Sequence, residues 1–139
     1  MLSRRQVSVL TACLIAVPVA AGVAVWSRLP AEMAIHFSAT GTPDNYVPKP
    51  VGVFLVPVVM LFTLAVIRAA FRADPPDDSQ IEPVVTVSSI ALLSAVQLLV
   101  LAWNLGYSVP FDLVLVAVVL WSIGLVGYVT VRERGMSVP

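Results

Sequence analysis

Four stretches of the chain, near residues 6–27, 51–67, 83–103 and 112–131, hold a single charged side chain among them, Asp112 at the start of the last. An α-helix rises ~1.5 Å per residue, so a run of about twenty apolar residues covers the ~30 Å hydrocarbon layer of a bilayer. The 139 residues are 59% hydrophobic and 12% charged, and mean hydropathy is +0.96. One water-soluble core of that size cannot bury so much apolar surface. The sequence therefore predicts an all-α integral membrane protein, a four-helix transmembrane bundle. It forms one domain over residues 1–139, with the lipid bilayer as its first partner.

The stretch MLSRRQVSVLTACLIAVPVAAGVAVW begins like a secretory signal. Its apolar part exceeds the ~7–15 residues of a signal core, so it is expected to stay in place as the first helix. Cys13 is the only cysteine, which excludes an internal disulfide. Arg4 and Arg5 precede the first run, Arg68 and Arg72 follow the second, and Arg132 and Arg134 follow the fourth, so 2 + 2 + 2 = 6 of the 8 basic residues share one side. Arg28 and Lys49 fall on the other. Basic residues are retained on the cytoplasmic side during insertion, which predicts cytoplasmic N- and C-termini and an extracellular loop between helices one and two. A formal net charge of zero gives a nucleic-acid partner no electrostatic footing.

The three connections differ in character. FRADPPDDSQIEP is acidic, broken by proline and poor in apolar residues, as expected of a solvated link. NLGYSVPFD is a short turn that makes helices three and four antiparallel neighbours. The loop from Arg28 to Pro50 is long, and it mixes Met33, Ile35, Phe37, Tyr46 and Val47 with polar residues. A loop of that composition packs onto something. Gly41 is expected at a left-handed position and Pro43-Asp44-Asn45 at a tight turn, so that the loop is an ordered cap.

The segment RLPAEMAIHFSATGTPDNYVPKPVGVFLVP resembles the signature of a prokaryotic membrane family, the domain of unknown function 1648 (DUF1648). Leu29, Pro30, Ile35, His36, Phe37, Gly41, Pro43, Asp44, Tyr46 and Lys49 stand at its motif positions, within residues 29–57. The resemblance implies a multi-pass protein of a prokaryotic plasma membrane. It also points to SdpI-type proteins, in which such a domain precedes further helices and serves immunity and signalling against a secreted toxin. No second SdpI-type domain is legible in residues 83–139.

No Asp, Glu, Lys, Arg or His lies at the centre of any apolar run, which argues against a proton- or ion-coupled transporter. Ala12, Ala16, Ala20 and Ala24 recur every four residues on the first helix, and Gly124 and Gly127 make a weaker stripe on the fourth. Such small residues are expected to pack helices within the bundle, with a homo-oligomer contact as the alternative. On helix three, Thr86, Ser89, Gln97 and Asn104 fall within about 80° of one another at ~100° per residue. That polar face must turn toward other helices or a wet cavity. It brings Asn104, Tyr107 and Asp112 to the same end as His36 and Asp44.

The candidate ligand-binding residues are therefore His36, Asp44, Tyr46, Lys49, Asn104, Tyr107 and Asp112, arranged around a shallow outer pocket. Leu29, Pro30, Phe37, Gly41 and Pro43 shape the loop. A lone histidine without a cysteine or second histidine makes a poor metal site, and no metal or cofactor is expected. Neither a Ser-His-Asp nor an HExxH arrangement supports a catalytic role. Three function classes remain open. The first is a binding, immunity or signalling module whose outer loop recognises a peptide, toxin or lipid. The second is an accessory or structural subunit of a partner membrane protein. The third is a membrane enzyme using His36 and nearby carboxylates.

Overall fold

The computed structural model describes residues 3–136. Its elements are helix α1 (Arg4–Ala24), a 3-10 turn (Trp26–Arg28), strands β1 (Glu32–Phe37) and β2 (Pro43–Pro48), and helices α2 (Lys49–Ala73), α3 (Ile81–Asn104) and α4 (Phe111–Met136). All four helices are long and apolar enough to cross a membrane. The connection expected as a loop is an antiparallel two-stranded hairpin, so the chain is mostly helical but not all-α.

The helices outrun the apolar stretches that announce them, because an apolar run marks the hydrocarbon layer and not the end of the hydrogen-bonded spiral. Helix α1 starts early on a capping box. The Ser3 hydroxyl accepts the Gln6 amide at 3.2 Å, and Gln6 Oε1 accepts the Ser3 amide at 2.8 Å. Helix α2 has Pro50 in its first turn, where a missing N–H costs nothing, and continues past the apolar run until Asp74 precedes Pro75.

Helices α1, α2 and α3 pack on one another, while α4 lies chiefly along α3. Val114, Val118, Trp121, Leu125 and Tyr128 are half-buried at helical spacing, and no residue in the apolar window of α4 is buried. The expected four-helix bundle is thus a three-helix bundle with a fourth helix alongside. Lipid solvates apolar side chains as well as protein does, so no hydrophobic force compels α4 into the bundle.

The alanine stripe is corrected too: Ala12, Ala16, Ala20 and Ala24 are all exposed. The packing face of α1 carries Thr11, Pro18 and Gly22. A Cβ on Gly22 would lie 2.7 Å from Val53 Cγ1, so the close approach of α1 to α2 is made there. Gly124 and Gly127 face open space, with nothing within 4 Å of a Cβ. Close packing needs a backbone on the facing side, and α4 offers these glycines to none.

The α3 stripe does face the bundle, with Thr86, Ser94 and Gln97 buried. Gln97 has a specific task. Pro57 lies inside α2 and has no N–H to donate to the Val53 carbonyl one turn back. Gln97 Nε2 donates to that carbonyl at 3.2 Å and to the Gly52 carbonyl at 3.0 Å. A side chain of α3 thus replaces a backbone donor missing from α2, in a region where an unpaired carbonyl has no water to turn to.

Gln97→Leu is expected to destabilise the protein by about 1 kcal/mol. In a Pro57→Ala background, which restores the backbone donor, the cost should fall to less than half. Reversible unfolding in mixed micelles measures both, and equal costs would mean that Gln97 does not substitute for the missing amide.

Candidate functional site

The hairpin forms between two stops, Pro30 before β1 and Pro48 at the end of β2. Its reversal lies at Ser38–Thr42 and not at Pro43-Asp44-Asn45. The Ser38 amide donates to the Thr42 carbonyl at 2.8 Å, and the Gly41 amide donates to the Ser38 carbonyl at 2.8 Å. Gly41 takes φ +79°, as expected of the left-handed position. Pro43 opens β2, a strand position at which no N–H is required, and Asp44 and Asn45 come next within the strand.

The register pairs Met33 with Val47, Ala34 with Tyr46 and His36 with Asn45, leaving Ile35 as an extra residue in β1. Such a bulge breaks the alternation of faces and re-aims the side chains beyond it. Ala34 is fully buried, whereas His36, two residues on, is exposed.

The inner face of the hairpin is fixed by three kinds of contact. Met33 enters a buried cluster with Leu29, Val53 and Leu101. It fits because α2 has a glycine opposite, where a Cβ on Gly52 would come within 2.8 Å of Met33 Cβ. Phe37 stacks on Phe111 at 3.7 Å between centroids and meets Trp103 edge-on at 5.3 Å. Asn104 supplies the third contact by treating β1 as a neighbouring strand would. Its Oδ1 accepts the Ala34 amide at 2.9 Å, and its Nδ2 donates to the Ala34 carbonyl at 2.9 Å. The same Nδ2 donates to the Val100 carbonyl at 2.8 Å, which anchors the amide to its own helix.

The residues singled out from sequence therefore separate into two groups. Asn104 and Lys49 hold the cap together. Lys49 Nζ donates to the Trp26 carbonyl at 3.0 Å and lies 5.7 Å from the Trp26 ring centre. His36, Asp44 and Tyr46 face outward. His36 Nδ1 lies 2.5 Å from Asp44 Oδ1 across the strands, with side chains 68% and 47% exposed. Among the described residues no third His, Cys, Asp or Glu joins them in a set able to hold a metal ion.

Tyr107 is exposed. Asp112 sits at the start of α4 beside the hairpin tip, its amide 3.4 Å from a Cβ built on Gly41. Two cavities at the opposite end of the bundle are lined by none of these residues, and at the hairpin end His36, Asp44, Tyr46 and Tyr107 are exposed. Sequence reasoning missed Asp78, which lies in the link expected to be fully solvated yet is buried. It pairs with Arg132 at 2.9 Å and accepts the Gln80 amide at 2.8 Å. An aspartate three residues before a helix start was the available signal.

Residues 13–61 match the family model described as a domain of unknown function, DUF1648. The span opens within α1, takes in the whole hairpin and closes within α2. No curated protein and no solved structure matches the chain.

Asn104→Leu leaves the Ala34 amide and carbonyl without partners, at a local cost of about 1–3 kcal/mol. Deuterium exchange over residues 32–37 is expected to accelerate at least about tenfold while the middle of α2 stays protected. Unchanged exchange would show that the asparagine does not hold the hairpin.

Proposed function

We propose that this chain, whose residues 13–61 are a DUF1648 domain, is a membrane-embedded binding module serving immunity or signalling. Its hairpin lies on the outer side of a prokaryotic plasma membrane, its termini are cytoplasmic, and its ligand is an extended peptide such as a secreted toxin. The observation that carries the reading is the division of labour within the hairpin. One face is locked to the bundle by Met33, Phe37 and the Asn104 bonds, and the other leaves His36, Asp44 and Tyr46 exposed. A rigid element that presents a hydrogen-bonding pair beside an aromatic ring loses little freedom on binding. Strand β2 is paired on one side only, so its free edge between Pro43 and Pro48 can accept a short added strand.

A second reading, an accessory subunit that packs on a partner membrane protein or a second copy, draws on the exposed small-residue stripes. Ala12, Ala16, Ala20 and Ala24 on α1, and Gly124 and Gly127 on α4, all look outward.

Orientation is tested by single cysteines at Thr40 and Ser79, both exposed, in a Cys13→Ala background. An impermeant thiol reagent should label position 40 in intact cells and position 79 only after lysis. Labelling in the reverse order overturns the outward hairpin.

The binding face is tested with a photo-crosslinking amino acid at Tyr46 in cells of the native host. A discrete adduct with a secreted peptide is expected. It should fall at least about tenfold in His36→Ala and Asp44→Asn variants that are expressed normally, as loss of a charge-assisted contact predicts. An adduct with an integral membrane protein would favour the accessory reading, and adduct levels untouched by both variants would sink the proposed face.

A further inference from the structure

We propose that the cleft at the end of the bundle carrying both chain termini holds the headgroup of an anionic phospholipid. This site lies at the opposite end from the hairpin and does not depend on the function proposed above. The cleft is formed where the start of α1, the end of α2 and the start of α3 diverge, and it encloses about 730 Å³. That volume falls in the ~300–1,000 Å³ range of small-molecule sites.

Three arginines line it, Arg4 from α1 and Arg68 and Arg72 from α2, against one acid, Glu82. The lining therefore carries 3 − 1 = 2 positive charges. Arg68 and Arg72 are one turn apart on the same helix, a spacing at which like charges destabilise each other. Among the described residues none of the three arginine side chains has a hydrogen bond or ion pair. The buried acid of the neighbouring link is already committed, because Asp78 bonds Arg132 and the Gln80 amide. Glu82 is the one acid in the lining, and no ion pair joins it to the three arginines among the described residues. A phosphate diester presents the oxygens that guanidinium groups bind in bidentate fashion.

The remaining lining identifies a lipid over a free anion. Val7 and Phe71 place apolar surface beside the arginines, and Ser8 and Ser79 add hydroxyls. Arg68 comes directly after the apolar run that ends at Ile67, which sets the cleft at the level where headgroups meet acyl chains. Basic pockets between transmembrane helices at that depth suit anionic headgroups. Retention of positive charge during insertion requires arginines near the helix ends, but it does not require them to share a cavity.

The test is native mass spectrometry of the full chain released from detergent with equal amounts of dioleoyl phosphatidylglycerol and dioleoyl phosphatidylcholine. Retained phosphatidylglycerol is expected to exceed phosphatidylcholine at least about tenfold, because each basic residue near an anionic headgroup adds to the attraction. The preference should disappear when Arg4, Arg68 and Arg72 are all changed to Gln. Should that variant fail to insert, Ser79→Trp fills the cleft with every charge intact and is likewise expected to abolish retention. Equal retention of the two lipids overturns the site, as does a preference that survives Ser79→Trp, since diffuse surface charge would then be the cause. Displacement of the lipid by excess inorganic phosphate alone overturns the lipid assignment in favour of a free-anion site.

Discussion

Two side-chain amides on one face of α3 hold the structure in its observed form. In hydrocarbon, an unpaired backbone N–H or C=O costs several kcal/mol because no water can replace the lost partner. Among the places where the chain departs from a continuous helix, two are repaired from α3: the carbonyl freed by Pro57 inside α2, and the edge of β1 where the hairpin meets the bundle. Gln97 repairs the first and Asn104 the second. They are seven residues apart, two turns along one stripe. The rotation of α3 about its axis therefore decides where both α2 and the hairpin can sit. The close approaches at Gly22 and Gly52 are the packing consequence, since neither neighbour could come so near past a Cβ.

The four helices long and apolar enough to cross a membrane were legible from the length and apolarity of their runs. Their true ends were less so, although Ser3 and Gln6 spell out a capping box that would have placed the start of α1. The polar stripe on α3 could be derived from spacing alone. What each member touches could not, because the partner of Gln97 is created by a proline 40 residues earlier. A proline inside one apolar run and a carboxamide inside another is the pattern to pair in such chains.

The alanine repeat misled for a related reason: a spacing of four defines a face of a helix without saying which face is used. Thr11, Pro18 and Gly22 define another face, and it was chosen because Gly22 meets Val53. The hairpin was hidden by its own bulge, since Ile35 spoils the alternation by which β1 would have been recognised. Its many prolines then suggested turns at positions where they only open and close strands. Within the candidate site, the sequence grouped His36, Asp44, Asn104 and Lys49 by their nearness to one membrane face. It could not separate side chains that build the cap from side chains that the cap displays, because that depends on which face of the hairpin Met33 and Phe37 bury.

The two ends of the molecule are finished in opposite ways. At the hairpin end the side chains that hold the cap, the Asn104 amide and the Lys49 ammonium, are already paired with backbone groups, so any ligand there meets a surface whose shape is set. At the other end, three arginines whose side chains pair with none of the described residues line a cleft, and a ligand there would order them as it binds. Helix α4 is fastened at both places while having little contact between them. Phe111 at its start stacks on Phe37, and Arg132 near its end pairs with Asp78 in the link beside the arginine cleft. A helix held mainly by its ends responds to whatever moves those ends. Displacement of the hairpin tip would reach α4 through the stack of Phe37 on Phe111, and α2 through the chain itself and the seat of Met33 on Gly52.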